Sequence, residues 1–160
     1  MHTTVVPDHT CHVIAREDDY IFGVLQSRIH EAWSLAQGST LEDRPRYTAT
    51  STFETFPFPW PPGKEPKDDP RLQAIAAAAQ DLVKKRDAWL NPPDATAAKL
   101  KKRTLTNLYN ENPTWLQDSN RKLDDAVLAA YGWPKDLSDE DILARLLQLN
   151  LERAGKDWLL

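Results

Sequence analysis

The residues that come closest to a catalytic motif are Asn91-Pro92-Pro93-Asp94. Enzymes that methylate the exocyclic amine of a flipped base use an Asx-Pro-Pro-aromatic loop, in which two oxygens accept hydrogen bonds from the amine and the ring stacks on the base. Asp94 cannot stack, and the isolated glycines of this chain form no Gly-rich turn for a methyl donor. We therefore interpret residues 91–94 as a helix stop followed by a cap.

Two other groups of residues have the chemistry of a metal site but not its spacing. His9, Cys11 and His12 are soft ligands, but neighbours on an alternating strand point to opposite faces and no fourth ligand is close in the sequence. Glu65-Pro66-Lys67 has the spacing of a nuclease motif, yet it lies in a proline-rich stretch rather than on a strand. The sequence therefore predicts neither a catalytic residue nor a bound metal.

The most informative segment is 46–62, which reads RYTATSTFETFPFPWPP. Its prolines fix φ and remove backbone donors, so the segment is predicted to be an extended, polyproline-like arm rather than a helix or a central strand. Aromatic rings that alternate with proline need a surface to lie against. We predict that these rings pack on a neighbouring surface rather than stack on bases: Phe53, Phe56, Phe58 and Trp60.

Two groups of residues have the chemistry of phosphate contacts. Guanidinium forks and short hydroxyl donors on a loop suit phosphate oxygens. The first group precedes the arm and consists of Arg44, Arg46, Tyr47, Thr48 and Thr50. The second group consists of Lys101, Lys102 and Arg103. For both groups the alternative is an ordinary solvated charge or a turn-forming threonine.

The composition places limits on function. The chain has 160 residues and a net charge of −4, which argues against non-specific wrapping of nucleic acid. No apolar run is long enough to span a membrane, and the single cysteine, Cys11, leaves no intrachain disulfide. A cytoplasmic protein is the expectation from these features.

Hydrophobic periodicity predicts a mainly α fold. We expect a short strand over 10–15 that ends at Arg16, one helix from about Asp19 to a stop at Gly38, and then a loop. Beyond the proline-rich linker 63–70, the pattern predicts a bundle of about four helices. These cover about 70–90, 95–109 with Leu100, Leu105 and Leu108 inward, 114–131, and a last helix after Ser138 with the face Ile142, Leu143, Leu146, Leu147 and Leu151, ending at Gly155.

Long blocks of this sequence resemble the C-terminal region of MmeI-like (type IIL) restriction-modification DNA methyltransferases. In these single-chain enzymes a segment similar to 46–62 links the target-recognition domain to a C-terminal helical domain. The remaining similar blocks are 18–25, 104–110, 113–116, 123–127, 130–134, 136–140 and 146–153. The resemblance implies a division into a target-recognition remnant (1–62), a linker (63–70) and a C-terminal helical domain (71–160).

The resemblance also implies a function. We expect a non-catalytic fragment that contributes DNA-backbone binding or scaffolding for target recognition, with double-stranded DNA as its partner. The alternative is an interaction module that forms a homodimer or docks onto a separate methyltransferase. No cofactor is expected in this chain, because S-adenosylmethionine would bind the methyltransferase domain that precedes these blocks in the family.

Overall fold

The computed structural model describes residues 11–41 and 44–157. It confirms a mainly α fold. The elements in chain order are α1 (Asp19–Gln26), α2 (Arg28–Gln37), β1 (Ser39–Leu41), β2 (Arg44–Arg46), a π-helix (Ala49–Phe53), α3 (Pro70–Leu90), α4 (Ala97–Leu100), α5 (Leu105–Glu111), α6 (Thr114–Tyr131) and α7 (Asp139–Asp157).

The single helix predicted from Asp19 to Gly38 is wrong, because it is broken at Ser27. Ser27 is extended (φ −74°, ψ 156°), and its hydroxyl donates to the carbonyl of Val24 at 2.7 Å. The first amide of α2, on Arg28, donates to a carboxylate oxygen of Asp124 at 2.9 Å. A partner 96 residues away therefore caps the second helix, which local periodicity cannot reveal.

The extended segments also differ from the prediction. Residues 11–15 form no strand, and Thr10 lies outside the described residues. The loop predicted after residue 41 instead contains a hairpin, in which Ser39 lies opposite Arg46 and Leu41 opposite Arg44. The start of the predicted extended arm is wrong as well, since residues 49–53 form a π-helix. Residues 56–62 form neither helix nor strand, and there the prolines exclude a helix.

Helix α3 confirms the prediction from its local signals. The Asp69 carboxylate accepts the amide of Arg71 at 2.8 Å, and Pro70 occupies the first helical position, where it is tolerated. The helix ends at Leu90, immediately before Asn91-Pro92-Pro93. The residues with the deepest burial on its face are Ile75, Ala79 and Leu82.

The helix predicted over 95–109 is two short helices. The hydroxyl of Thr96 accepts the amide of Lys99, and the hydroxyl of Thr104 accepts the amide of Asn107, so each threonine starts its own helix. Leu108 is fully buried as predicted. Leu100 and Leu105 are not inward: they are 41% and 49% exposed.

The last two helices agree with their predicted starts. Helix α6 ends at Gly132 with φ 72°, a conformation that glycine adopts without strain. The Ser138 hydroxyl accepts the amide of Asp141 at 3.1 Å before α7. The predicted buried face of α7 is wrong at two positions, because Leu147 and Leu151 are 40% and 73% exposed. The helix also continues past Gly155 to Asp157.

One hydrophobic core joins both sides of the linker. Helix α3 packs on α1 and α6, and α2 packs on α7. Gly23 permits the close approach of α1 and α3: a Cβ at this position would lie 2.7 Å from Cγ2 of Ile75 and 3.2 Å from Cβ of Ala79. The division at 62/63 stays a prediction, but the helices on its two sides share their core residues.

We predict that Gly23→Ala destabilises the protein. Alanine gains up to about 1 kcal/mol of helix propensity over glycine, but overpacking against Ile75 costs about 1–3 kcal/mol, so the net loss is about 1 kcal/mol. The control is Gly155→Ala on α7, where a new Cβ meets no atom within 4 Å. It should be neutral or stabilising. Urea unfolding measures both, and a Gly23→Ala variant as stable as the control would contradict the proposed close packing.

Candidate nucleic-acid interface

The hairpin presents the first predicted group of phosphate contacts. Arg44 and Arg46 lie at the two ends of β2, with Pro45 between them. The side chain of Arg46 is exposed. Thr50 lies four residues further along, in the π-helix, and is also exposed. Arg46 and Thr50 are therefore accessible to a ligand on the surface beside the hairpin.

Tyr47 is held by the protein rather than offered to solvent. Its hydroxyl is 3.0 Å from Nε2 of His30, and its carbonyl oxygen is 3.2 Å from Nε2 of His12. Its ring lies tilted against the His30 ring, with 5.8 Å between their centres. Burial raises the pKa of the phenol. Tyr47 thus anchors the residue after the hairpin on α2.

Thr48 starts the π-helix. Its carbonyl accepts the amide of Thr52 at 2.8 Å and the hydroxyl of Thr52 at 2.6 Å. Its own hydroxyl lies 3.4 Å from the hydroxyl of Ser39, across the hairpin. Of the residues predicted on this loop, Tyr47 and Thr48 therefore shape the backbone.

The rings of the arm lie inside the protein. Phe56 and Phe58 are 5% and 3% exposed and meet edge to face, with 4.9 Å between ring centres. Phe56 also meets His30 edge to face at 4.6 Å, and Phe53 meets Phe58 at 5.8 Å. Trp60 lies 5.9 Å from the Tyr20 ring and 5.1 Å from the Arg71 guanidinium. This packing leaves no ring of Phe56 or Phe58 for stacking on a base.

The carbonyls of the arm are bound by side chains from other helices. Tyr131 donates to the Pro57 carbonyl at 2.8 Å, and Asn150 donates to the Thr55 carbonyl at 2.7 Å. Arg153 donates to the carbonyls of Phe58 and Pro59 at 2.6 and 3.1 Å. Burial raises the pKa of Tyr131 well above its usual range, so its hydroxyl remains a donor.

The second predicted group lies between α4 and α5. Lys101 and Lys102 are exposed. The Arg103 guanidinium lies 4.1 Å from the centre of the Trp89 ring, a cation–π contact that holds it on the end of α3. The side-chain amide of Asn107 donates to the Lys102 carbonyl at 2.7 Å. The two lysines are therefore presented on a fixed turn, with Arg103 directed towards the protein.

A cavity of about 540 Å³, referred to below as the acidic cavity, is lined by the carboxylates of Glu31 and Asp124. Tyr47, next to Arg46, and Tyr109, on the helix that follows Arg103, both line it. Burial raises the pKa of Asp124 to about 6 and lowers the pKa of His30 to about 4. No local pattern in the sequence distinguishes His30 or Asp124 from a solvated residue of a helix.

The predictions about metal ligands and membrane spans can be compared with the structure only within residues 11–41 and 44–157. There, no group of three His, Cys, Asp or Glu side chains is arranged to hold a metal ion. Cys11 is exposed, and His9 lies outside the described residues. Glu65 instead pairs with Arg16 at 2.7 Å. Across residues 11–41 and 44–157, no helix is long and apolar enough to cross a membrane.

Comparison with known proteins shows which proteins this chain resembles. Residues 1–60 match the family model of the MmeI target recognition domain. DNA methyltransferase A of Bacillus subtilis (strain 168) is 30% identical over 143 residues, which cover 88% of this chain and 14% of that protein. The structure of the type IIL restriction-modification enzyme MmeI in complex with DNA superposes with a TM-score of 0.67 and 28% identity, over 87% of this chain and 17% of that chain.

Loss of one donor to the arm should destabilise the fold. In Tyr131→Phe the ring still packs, but the Pro57 carbonyl loses its partner, which costs about 1–2 kcal/mol of unfolding free energy. The matched control is Tyr109→Phe, whose hydroxyl makes one exposed contact with Gln26 at 3.4 Å. Urea denaturation compares the two, and equal stabilities would refute a structural role for the buried hydroxyl.

Two buried groups should give opposite pH dependences. The folded-state pKa of His30 is depressed from 6.5 to about 4, so its contribution to stability is lost as pH falls through this range. The folded-state pKa of Asp124 is raised from 3.8 to about 6, so its contribution is lost as pH rises through that range. Between about pH 4 and 6, the contribution of His30 to stability therefore increases with pH while that of Asp124 decreases.

The variant Asp124→Asn should remove the pH dependence of stability that comes from Asp124. The amide oxygen can still accept the Arg28 amide, while the desolvated charge is gone. We expect a gain of about 1–2 kcal/mol above pH 7 and no gain below pH 4, measured by urea unfolding across the pH range. The control is Asp125→Asn, which removes only a pair with Lys135 at 2.9 Å near the surface. An Asp124→Asn variant that is less stable above pH 7 would contradict this assignment.

Proposed function

We propose that this chain contributes DNA recognition by binding the phosphate backbone of a duplex, because it is similar to the MmeI target recognition domain and to the type IIL restriction-modification enzyme MmeI. The chain spans 14% of DNA methyltransferase A and 17% of the MmeI chain, so this role is part of a larger activity. The proposal concerns positioning on DNA rather than reading of bases.

The observation that carries the proposal is the exposed guanidinium of Arg46 on a hairpin whose backbone is fixed. Arg46 lies within the segment that matches the target recognition domain, and the Tyr47–His30 contact anchors the residue that follows it. Thr50, four residues further along the chain, adds an exposed residue with a hydroxyl group. The planar guanidinium fork loses less conformational entropy for each hydrogen bond than a flexible ammonium does, and it can donate two bonds to phosphate oxygens. Arg44, at the other end of β2, is proposed to extend this contact.

Lys101 and Lys102 are proposed as a second backbone contact. They are exposed on the turn before α5, and the Arg103–Trp89 contact holds that turn against α3. Lysine acts as a point charge on phosphate, so this contact adds affinity but little orientation. The net charge of −4 predicts that affinity comes from these few contacts and is modest.

The chemistry of methylation is proposed to lie outside this chain. Residues 91–94 follow directly on α3 as its stop, and Asp94 occupies the position where a base-binding loop requires an aromatic ring. The methyl donor, S-adenosylmethionine, would accordingly bind the methyltransferase domain of a larger enzyme. In that enzyme, this chain would hold the DNA backbone beside the recognition domain.

The test is binding of a fluorescent DNA duplex at two salt concentrations. We expect micromolar affinity at about 50 mM salt and a roughly 10-fold loss at about 200 mM, because a few phosphates are neutralised. Arg44→Ala with Arg46→Ala should weaken binding at low salt roughly 10-fold. The control, Arg121→Ala with Lys122→Ala, removes the same charge from the exposed face of α6 and should change binding little. Equal losses of DNA affinity in both double variants would show that only net charge matters and would reject the proposed site.

A second candidate is a protein-interaction module. Arg28 at the start of α2 pairs with Asp139 at the start of α7, and these two helices pack on each other. Both helices carry exposed leucines: Leu35, Leu147 and Leu151 are 58%, 40% and 73% exposed, and these leucines are proposed to contact the partner. The proposed occupant is a methyltransferase partner. No DNA binding at low salt, together with a concentration-dependent oligomer in sedimentation velocity, would favour this candidate over the first.

A further inference from the structure

The acidic cavity between α2, α5 and α6 is a polar site that backbone binding to DNA does not use. It has a volume of about 540 Å³, and its chemistry is carried by Arg28, His30, Glu31, Tyr47, Tyr109 and Asp124. These residues come from four separate segments of the chain. A phosphate would meet two carboxylates here, so the cavity is distinct in its chemistry from the exposed basic groups on either side.

The charges that line the cavity are unbalanced. Oδ1 of Asp124 accepts the Arg28 amide at 2.9 Å, while Oδ2 has no partner among the described residues. Glu31 makes no ion pair within residues 11–41 and 44–157. The Arg28 guanidinium is engaged elsewhere, by the Leu137 carbonyl and by Asp139 at 3.3 Å. The lining therefore offers acceptors and negative charge with one cation that already has its own partners.

His30 adds a buried polar atom without a partner. The residue is 4% exposed, and its Nε2 is 3.0 Å from the Tyr47 hydroxyl. Its Nδ1 has no hydrogen-bond partner in the part of the chain that the structure describes. When Nε2 carries the proton and donates to Tyr47, Nδ1 is an acceptor, like the carboxylates beside it. Such an atom is costly to bury unless a ligand or a water completes it.

We propose that this cavity binds an organic cation that carries an alkylguanidinium or alkylammonium group. Asp124 and Glu31 supply the opposite charge, and the rings of Tyr47 and Tyr109 on the cavity wall supply faces for a cation–π contact. A metal ion fits less well, because the described residues include no cluster of three ligating side chains. The cation is either a free amine or the arginine or lysine side chain of a partner protein.

The first test is a titration of the full 160-residue protein with agmatine, followed by two-dimensional NMR of the backbone amides. We expect saturable binding with shifts at His30, Glu31 and Tyr109. Asp124→Asn should weaken binding at least roughly 10-fold, because it removes the buried charge at the centre of the site. The control Asp125→Asn changes a neighbouring carboxylate that pairs with Lys135 and should bind agmatine as the wild type does.

A second variant and three further probes complete the test. Glu31→Gln, at the rim, should weaken agmatine binding several-fold, so that the proposal does not depend on Asp124→Asn alone. N-butylurea, a neutral analogue, should not bind. If acetyl-arginine-amide binds more tightly than agmatine, the natural cation is a side chain of a partner protein. If agmatine binds more tightly, the natural cation is a free amine. Three results would each overturn the proposal. The first is that neither agmatine nor acetyl-arginine-amide saturates the protein. The others are that N-butylurea binds as tightly as agmatine, or that Asp124→Asn binds agmatine with the affinity of the wild type.

Discussion

The prolines of the arm impose the constraint on which the rest of the structure depends. Pro57, Pro59, Pro61 and Pro62 have no amide hydrogen, so residues 57–62 cannot form a central strand, and the carbonyls of this segment bond to side chains instead. Tyr131, Asn150 and Arg153 supply these donors from α6 and α7. The segment is thereby held against the C-terminal helices by directed bonds as well as by its buried rings. Loss of Tyr131 or Arg153 would leave a part-buried carbonyl without its partner.

This arrangement explains why the two sides of the linker form one packed unit. The match to the MmeI target recognition domain ends at residue 60, where the Trp60 amide and carbonyl both meet the Tyr20 hydroxyl at 3.3 Å. Tyr20 lies in the first turn of α1, and α1 packs on α3 beyond the linker at Gly23, where the absence of a side chain permits the close approach. The matched segment therefore buries its apolar surface on helices that lie after it in the sequence.

How far the sequence predicted the fold depended on whether the deciding contact was local. Asp69 with Pro70, Ser138 and Gly132 set helix ends through residues at most four positions away, and these ends were predicted correctly. The break at Ser27 was missed because Asp124, which accepts the first amide of α2, is distant in the sequence. Thr96 and Thr104 are local caps that were overlooked, and they divide a helix that periodicity alone had joined. The exposure of Leu151 depends on which helices cover α7, which periodicity cannot specify.

The same distinction applies to the candidate sites. The sequence predicted Arg46, Tyr47 and Thr50 as one group because their side chains can all donate hydrogen bonds to phosphate. In the structure they differ: Tyr47 contacts His30, whereas Arg46 and Thr50 are exposed. The acidic cavity could not be found from the sequence, since its carboxylates lie on different helices and appear there as ordinary helical acids. The net charge of −4 thus conceals a surface that carries exposed basic residues as well as a cavity lined by two carboxylates. A polyanion and a cation would accordingly bind at neighbouring but separate positions, each excluded from the other's site by charge.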